Sequence, residues 1–327
     1  MILALDSGTT RTRVWVLGEG REPFVGASEI VGARDLARTR DREWLARRVH
    51  DVAEAALDAA DATWGDVEAV VMFGMITSEL GLVEVPHLVA PVDSVDLVAA
   101  MVEWSDDALP ARVLLVPGVR TDGVRLELSD VMRGEETEVV GLLSLPEIEP
   151  PLLYVSSGSH SKFVCVDGDG RIVWSVTTLS GELMWALHKE TILSDLVAVD
   201  AEDLDPEWVD EGARVTRQAG LTRALFVARV ANRLSGVTPG QCSAFLHGAA
   251  AETDLRALEA ALPDDRGRAT IALRGGGPVR ECYRQLLEQR PWVREVRLIN
   301  QPLGAIGARV LYEARVRTGE EGRPLRA

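Results

Sequence analysis

The chain has 327 residues, of which 46% are hydrophobic, and a formal net charge of −16 from 35 Lys and Arg against 51 Asp and Glu. The length exceeds that of a usual single domain and the apolar fraction can fill two cores, so two globular domains are expected. No basic run interrupts the negative balance; DNA or RNA would be repelled by such a surface, whereas a small anion such as a nucleotide needs only a few placed donors and a metal ion.

Cys165, Cys242 and Cys282 lie far apart without CxxC spacing, which argues against a disulfide framework or zinc knuckle and fits a reducing cytoplasm. The start, MILALDSGTT, lacks the charged segment and apolar core of a signal peptide. No apolar run approaches the roughly 18 residues of a membrane span. The polar end, Thr318 to Ala327, is expected to fray.

In chain order, Ile2 to Leu5, the Gly/Thr-rich Asp6 to Thr12 and Arg13 to Leu17 predict strand, tight turn, strand. Trp44 to Ala60 has helical spacing, and the wholly apolar Ala69 to Phe73 suits a buried strand. A strand at Val113 to Val116 ends at Pro117-Gly118, and Glu135 to Leu143 follows Gly134 as a helix. The opening pattern then returns: Leu153 to Val155, a small-residue turn over Ser156 to Ser161, and Lys162 to Val166. Asp167-Gly168-Asp169-Gly170 turns the chain into a strand at Arg171 to Thr177, and helices are expected over Gly181 to Leu196 and Gly212 to Leu234. Thr270 to Gly277 carries a third strand-to-turn junction, Gly275-Gly276-Gly277, before a helix opened by Pro278. The proline-dense LSLPEIEPP and the repeated hairpin divide the chain into domains at 1–146 and 147–327.

Gly/Ser/Thr turns between strands present backbone N–H groups without side-chain bulk, as a phosphate chain requires. In the first, Gly8, Thr9 and Thr10 follow Asp6, whose carboxylate is placed to hold magnesium through water against ATP oxygens. The second runs through Gly158, Ser159 and His160, where the ring could donate to a phosphate or substrate oxygen. Gly275 to Gly277 would let adenine and ribose lie against backbone, with a helix N-terminus beside the phosphates. Each turn alone is common; two matching hairpins and a glycine triplet in one chain form three elements able to converge on a cleft. Neither GxxxxGK[ST] nor GxGxxG is present. Trp15, Trp174 and Trp185 are expected in the core, and His50, His87, His188 and His247 show no metal-ligand spacing.

This order of elements resembles the sugar-kinase/actin/chaperone-ATPase superfold. Within it the chain resembles the 2-dehydro-3-deoxygalactonokinase family at Gly74-Met75-Ile76-Thr77-Ser78, Val116-Pro117-Gly118-Val119-Arg120, Met132-Arg133-Gly134-Glu135-Glu136-Thr137, Gly158-Ser159-His160-Ser161-Lys162, Ser180-Gly181-Glu182-Leu183 and Phe245-Leu246-His247-Gly248. It departs at Thr10-Arg11, where a Thr-Asn type pair is expected. The resemblance implies two related α/β domains, actin-like and ribonuclease H-like, with mixed sheets around a central nucleotide cleft. It implies transfer of the ATP γ-phosphate, with magnesium, to the 6-hydroxyl of 2-dehydro-3-deoxy-D-galactonate. Glu135, first in its helix, resembles in placement the catalytic acid of related sugar kinases, with Glu136 the close rival; both also suit a helix N-terminus for purely structural reasons. Arg133 leads for the substrate carboxylate, ahead of Arg120 and Lys162, and Thr77 joins this substrate set. A kinase of another sugar acid, such as the gluconate epimer, and a non-kinase actin-like ATPase remain alternatives. No membrane partner is expected, and a homodimer is compatible with the reading.

Overall fold

The computed structural model describes residues 1–18, 24–106, 108–196, 203–263 and 267–319. Most of the expected fraying tail, 320–327, lies outside them. Fourteen strands and ten α-helices are assigned among the described residues. By internal contacts the chain divides into two units. One comprises Met1–Pro150, Asp167–Ser175 and Gln301–Ala327; the other comprises Pro151–Val166 and Val176–Asn300. The first crossing falls within the proline-dense stretch, and the end of the chain returns to the first unit.

In the first unit the strands are β1 (Ile2–Ser7), β2 (Thr12–Leu17), β3 (Phe24–Glu29), β4 (Ala69–Gly74), β5 (Leu88–Val89), β6 (Val102–Asp106), β7 (Leu109–Leu115), β8 (Val119–Thr121) and β9 (Asp130–Met132). Its helices are α1 (Ala33–Thr39), α2 (Arg42–Ala59), α3 (Ser94–Ala100) and α4 (Glu135–Leu143), joined by the last helix of the chain. The main sheet runs β3-β2-β1-β4-β7-β6. Its centre, β1, β4 and β7, is parallel, and β2 returns antiparallel beside β1. Parallel strands covered on both faces must be apolar throughout, and β4 is buried at all six positions. Helix α2 starts at Asp41, whose side chain accepts from the Trp44 amide, and buries Leu45, Val49, Val52 and Leu57. Each such aliphatic side chain contributes about 1.5–3 kcal/mol when fully buried. A small sheet, β5-β8-β9, leads directly into α4.

The second unit repeats the plan. β10 (Leu152–Ser156), β11 (Ser161–Val166), β13 (Ala269–Arg274) and β14 (Val293–Ile299), with β12 (Ile172–Thr178), of which only Val176 to Thr178 belong to the second unit, form a sheet in the order β12-β11-β10-β13-β14. β10 and β11 are antiparallel, and β10, β13 and β14 are parallel. The mixed sheets and the repeated hairpin are therefore as the sequence predicts. The helices are α5 (Ser180–Glu190), α6 (Pro206–Ala219), α7 (Leu221–Ser235), α8 (Pro239–Ala261) and α9 (Gly277–Glu288), followed by α10 (Leu303–Thr318), which packs in the first unit.

Two helix expectations are corrected. The helix expected over Gly181 to Leu196 stops at Glu190, and only a 3-10 turn covers Ser194–Leu196. The single helix expected over Gly212 to Leu234 is α6 and α7, broken at Gly220, whose φ of 80° leaves the helical region. Helical periodicity carried across that glycine because both helices turn apolar faces to one cluster, which includes Ala224, Ala228, Phe245 and Leu246.

Helices α4 and α10 pack backbone to backbone: a Cβ on Gly141 would strike the Leu303 carbonyl, and one on Gly307 the Thr137 carbonyl. Gly307→Ala is therefore expected to destabilise the protein by about 1–3 kcal/mol, as overpacked cores do. A thermal melt checks this; an unchanged Tm would show that α4 and α10 can separate without cost.

Candidate active site

The two hairpin turns share one construction. In the first, the Gly8 amide closes onto the Arg11 carbonyl at 2.9 Å, and Ser7 Oγ lies 2.9 Å from Thr12 Oγ1, which donates to the Val31 carbonyl at 2.8 Å. The start of α1 then covers the turn: Ala33 and Arg34 donate their amides to the carbonyls of Gly8 and Thr9, at 3.2 and 3.0 Å. Gly32 permits this approach, since a Cβ there would come within 2.8 Å of the Thr9 carbonyl. With its carbonyls occupied, the turn keeps its own N–H groups available; the amides of Thr9 and Thr10 meet no protein acceptor among the described residues.

In the second unit, Ser157 donates its amide to the Arg274 carbonyl at 3.1 Å, and Glu182 at the start of α5 donates to the Ser159 carbonyl at 3.0 Å. Gly181 plays the part of Gly32, because a Cβ on it would strike the Gly158 carbonyl. His160 Nε2 sits 3.7 Å from Glu182 Oε1. Lys162 is buried in β11 opposite Ser156. The end of each neighbouring parallel strand is also matched. Gly74 at the end of β4 has φ of 85°, and Gly275 just beyond β13 has φ of 146°, a backbone that side-chain-bearing residues rarely adopt.

Gly74 links the first turn to the predicted base. A Cβ on it would stand 3.1 Å from Asp6 Oδ1, and one on Gly134 would stand 3.4 Å from the Gly74 Cα. Asp6 is mostly buried and lies 3.4 Å from Arg13 Nη1. Gly134, with φ of 107°, is the residue before α4. Its amide donates to both carboxyl oxygens of Glu136 at 2.8 Å, and Thr137 Oγ1 donates to Glu136 Oε1 at 3.2 Å. Glu136 is fully buried; burial first, and then the charge of Glu135, push its carboxyl up to about 8. Oε2 of Glu135 is shielded from solvent and has no hydrogen-bond partner. The two carboxylates that spacing leaves equivalent therefore differ in the fold. Glu136 is tied to its own helix start, and Glu135 keeps an uncommitted oxygen.

Arg133 precedes them. Its Nη1 donates to Thr77 Oγ1 at 3.0 Å and its Nη2 to the Val85 carbonyl at 2.6 Å, with His87 Nδ1 at 3.4 Å. Thr77 is fully buried and donates onward to the Gly74 carbonyl at 3.1 Å. Burial lowers the Arg133 pKa against the raising effect of Glu136, Glu79 and Glu84. A guanidinium has five N–H donors, so these contacts leave it able to bind a carboxylate. Arg120 is exposed on β8 and pairs with Asp122 at 3.1 Å, apart from this group of contacts. Thus Asp6, Gly74, Thr77, Arg133, Glu135 and Glu136 belong to one connected neighbourhood in the first unit.

The second unit holds a cavity of about 430 Å³. Ser157, Gly158 and Gly276 line it with Met184, Trp185, His188, His247, Val279 and Tyr283. Behind it, Asp254 accepts from Ser180 Oγ and from the Tyr283 hydroxyl, which lies 2.8 Å from Ser161 Oγ. Burial raises the pKa of both Asp254 and Tyr283. These bonds tie the end of the second turn, the start of α5, α8 and α9 to one carboxyl. Here the sequence reading is corrected. Trp185, expected in the core, is half exposed and lines the cavity, and His188 and His247, read as ordinary histidines, line it too. The clue was the spacing of Met184, Trp185 and His188 along α5, although a cavity-lining helix face has the same period as a core-facing one. Among the described residues no group of three or more His, Cys, Asp or Glu side chains is gathered to cage a metal, and no helix is long and apolar enough to cross a membrane.

The raised Glu136 carboxyl has a definite sign for stability. The unfolded chain loses this proton near pH 4.5 and the folded protein near pH 8. Across that window the folded state holds the extra proton, so stability falls as pH rises. Glu136→Gln is expected to flatten that slope, removing a loss on the order of a few kcal/mol. Denaturant unfolding of both proteins across the window checks this; parallel pH profiles would show that Glu136 is not buried protonated.

A family model for 2-keto-3-deoxy-galactonokinase matches residues 6–300. No curated protein matches the chain. Among solved structures, a Sinorhizobium meliloti protein provisionally assigned as a 2-dehydro-3-deoxygalactonokinase is 24% identical, with a TM-score of 0.75 over 97% of this chain and 96% of that one. The activator of the 2-hydroxyisocaproyl-CoA dehydratase from Clostridium difficile, with bound ADPNP, is 14% identical, with a TM-score of 0.53 over 100% and 99% of the two chains. The (R)-2-hydroxyglutaryl-CoA dehydratase component A of Acidaminococcus fermentans is 16% identical, with a TM-score of 0.52 over 98% and 99%. At these identities the likenesses establish the fold, which is the actin-like ATPase and sugar-kinase fold expected from the sequence.

Proposed function

The chain belongs to the 2-keto-3-deoxy-galactonokinase family, and from that premise we propose that it transfers the ATP γ-phosphate to the 6-hydroxyl of 2-dehydro-3-deoxy-D-galactonate, yielding the 6-phosphate and ADP. The observation that carries the mechanism is the unpartnered, solvent-shielded Oε2 of Glu135 at the head of α4. A hydroxyl nucleophile needs such an acceptor to orient it and take its proton as the bond to phosphorus forms. Glu136, held protonated by burial and by its neighbour's charge, leaves the pair with one proton and one base. Gly134 is fixed by Glu136 and stacked on Gly74, so the Glu135 backbone is positioned before substrate arrives.

Arg133 is the residue we assign to the substrate carboxylate, since its fork matches that planar group and Thr77 and Val85 already hold it in place. For the nucleotide we assign the cavity of the second unit. Its apolar walls suit a purine and ribose, its volume lies in the range of small-molecule sites, and the amides of the Gly158 to His160 turn suit phosphate oxygens. The ADPNP bound by the similarly folded Clostridium difficile activator supports a nucleotide in this fold. Asp6, next to last in β1 before the loop that carries the Thr9 and Thr10 amides, is the residue that would hold magnesium through water, where the ion would supply charge neutralisation to phosphate oxygens.

Magnesium-dependent ADP release should be strong with 2-dehydro-3-deoxy-D-galactonate, weaker with the gluconate epimer and near background without acceptor. Glu135→Gln should lower kcat about 10²- to 10⁴-fold while ADP binding is retained. Equal ADP release with and without acceptor would sink the kinase reading, and an unaffected Glu135→Gln enzyme would remove Glu135 as base.

A further inference from the structure

Phe245-Leu246-His247-Gly248 is a sequence motif named above to which the proposed reaction gives no role. It lies mid-way along α8, and its four residues divide the work. Phe245 and Leu246 are buried in the helical cluster, and Gly248 lets α8 close against the Val209 carbonyl of α6. His247 is turned to the cavity.

Its ring is chemically fixed. Nδ1 lies 2.9 Å from the Ser243 carbonyl one turn earlier. A carbonyl oxygen can only accept, so Nδ1 carries the hydrogen, and in the neutral ring Nε2 is left as a pure acceptor. Burial holds the ring's pKa down, favouring that neutral form. Nε2 has no partner among the described residues, yet it is not among the polar atoms sealed from solvent. The other polar side chains around it do not offer the same thing. The hydroxyls of Ser180, Ser161 and Tyr283 are engaged in the Asp254 network, the Cys282 thiol is buried and neutral, His188 and Trp185 have interactions of their own, and Lys189 presents only donors. Away from the phosphate turn, the described lining therefore offers an apolar slot with an acceptor of defined tautomer.

We propose that His247 selects the base of the nucleotide, its Nε2 accepting a hydrogen bond from the exocyclic 6-amino group of adenine. This rests on the cavity being the nucleotide site. A 6-oxo purine would set its own acceptor against Nε2, and a purine without a 6-substituent would leave Nε2 unpaired. A site built to pair with a ligand group rejects analogues lacking it, because the buried partner is then stranded. The device discriminates without charge, so it adds nothing to the affinity for phosphate.

The test is calorimetric titration of the full-length protein with ADP, IDP and purine riboside 5′-diphosphate, which lacks the amino group. Wild type should bind ADP about threefold to tenfold more tightly than either analogue, the factor one hydrogen bond contributes. His247→Ala should weaken ADP by that factor and bring the three ligands together. His247→Gln, whose amide can rotate to accept or donate, should keep ADP affinity and gain IDP affinity. If His247→Ala weakens all three ligands equally, or keeps the wild-type preference, His247 does not read the base. Should His247→Ala fail to fold, His247→Gln decides alone, and an unchanged ADP-over-IDP ratio in it overturns the proposal. Failure of the site reading looks different: ADP would bind no variant, or Trp185→Ala in the same cavity would leave ADP affinity untouched.

Discussion

The arrangement on which the two sites depend is a helix N-terminus laid onto the carbonyls of a Ser-Gly turn. Amides at a helix start have no partner within the helix and must find one. In the first unit Ala33 and Arg34 donate to Gly8 and Thr9, and in the second Glu182 donates to Ser159. That engagement sets the polarity of each turn, because carbonyls turned inward to the helix leave N–H groups facing outward. A turn with its acceptors hidden and its donors free has a fixed preference for anions, and it has it before any ligand is present. Gly32 and Gly181 are the condition for such contact, since a single methyl group at either would force the helix away.

A second constraint follows from the first. With β1 held at Ser7, the parallel neighbour β4 must end close against it, and Gly74 does so at positive φ under the Asp6 carboxylate. Gly134 rests on Gly74, and α4 begins there. The acidic pair at the head of α4 is thus located by backbone contacts rather than by its own side chains. Two adjacent carboxyls in a shielded place cannot both ionise cheaply. Glu136 takes the buried position, bonded to Gly134 N–H, and Glu135 keeps the reactive one.

Much of this was legible in the amino-acid sequence. The two hairpins, the strand at Ala69 to Phe73, the helix at Glu135 to Leu143 and the glycine triplet before α9 all appear where pattern and turn chemistry put them, because each depends on neighbours a few residues away. What escaped depends on distant partners. The break at Gly220 is invisible to periodicity when the helices on both sides face the same cluster. Trp185, His188 and His247 have the spacing of core residues, and only the gathering of α5, α8 and α9 around a void makes them a lining. The difference between Glu135 and Glu136 is a matter of which way a helix start is tipped. The sequence holds that information only indirectly, in glycines at 74 and 134 that are 60 residues apart in the chain.

The interlock of α4 with α10 has a bearing on biogenesis. Gly141 and Gly307 bring the two helices into backbone contact, and α10 is the last described element of the chain. During synthesis from the N-terminus, α4 emerges with its acidic pair while the start of the helix that braces it is still about 160 residues away. The first unit therefore cannot finish folding ahead of the second; it must wait, partly assembled, until the whole intervening chain has left the ribosome. Premature termination anywhere before Leu303 would release a polypeptide whose carboxylate pair lacks its support, which makes the integrity of the far end a precondition for order at the near one.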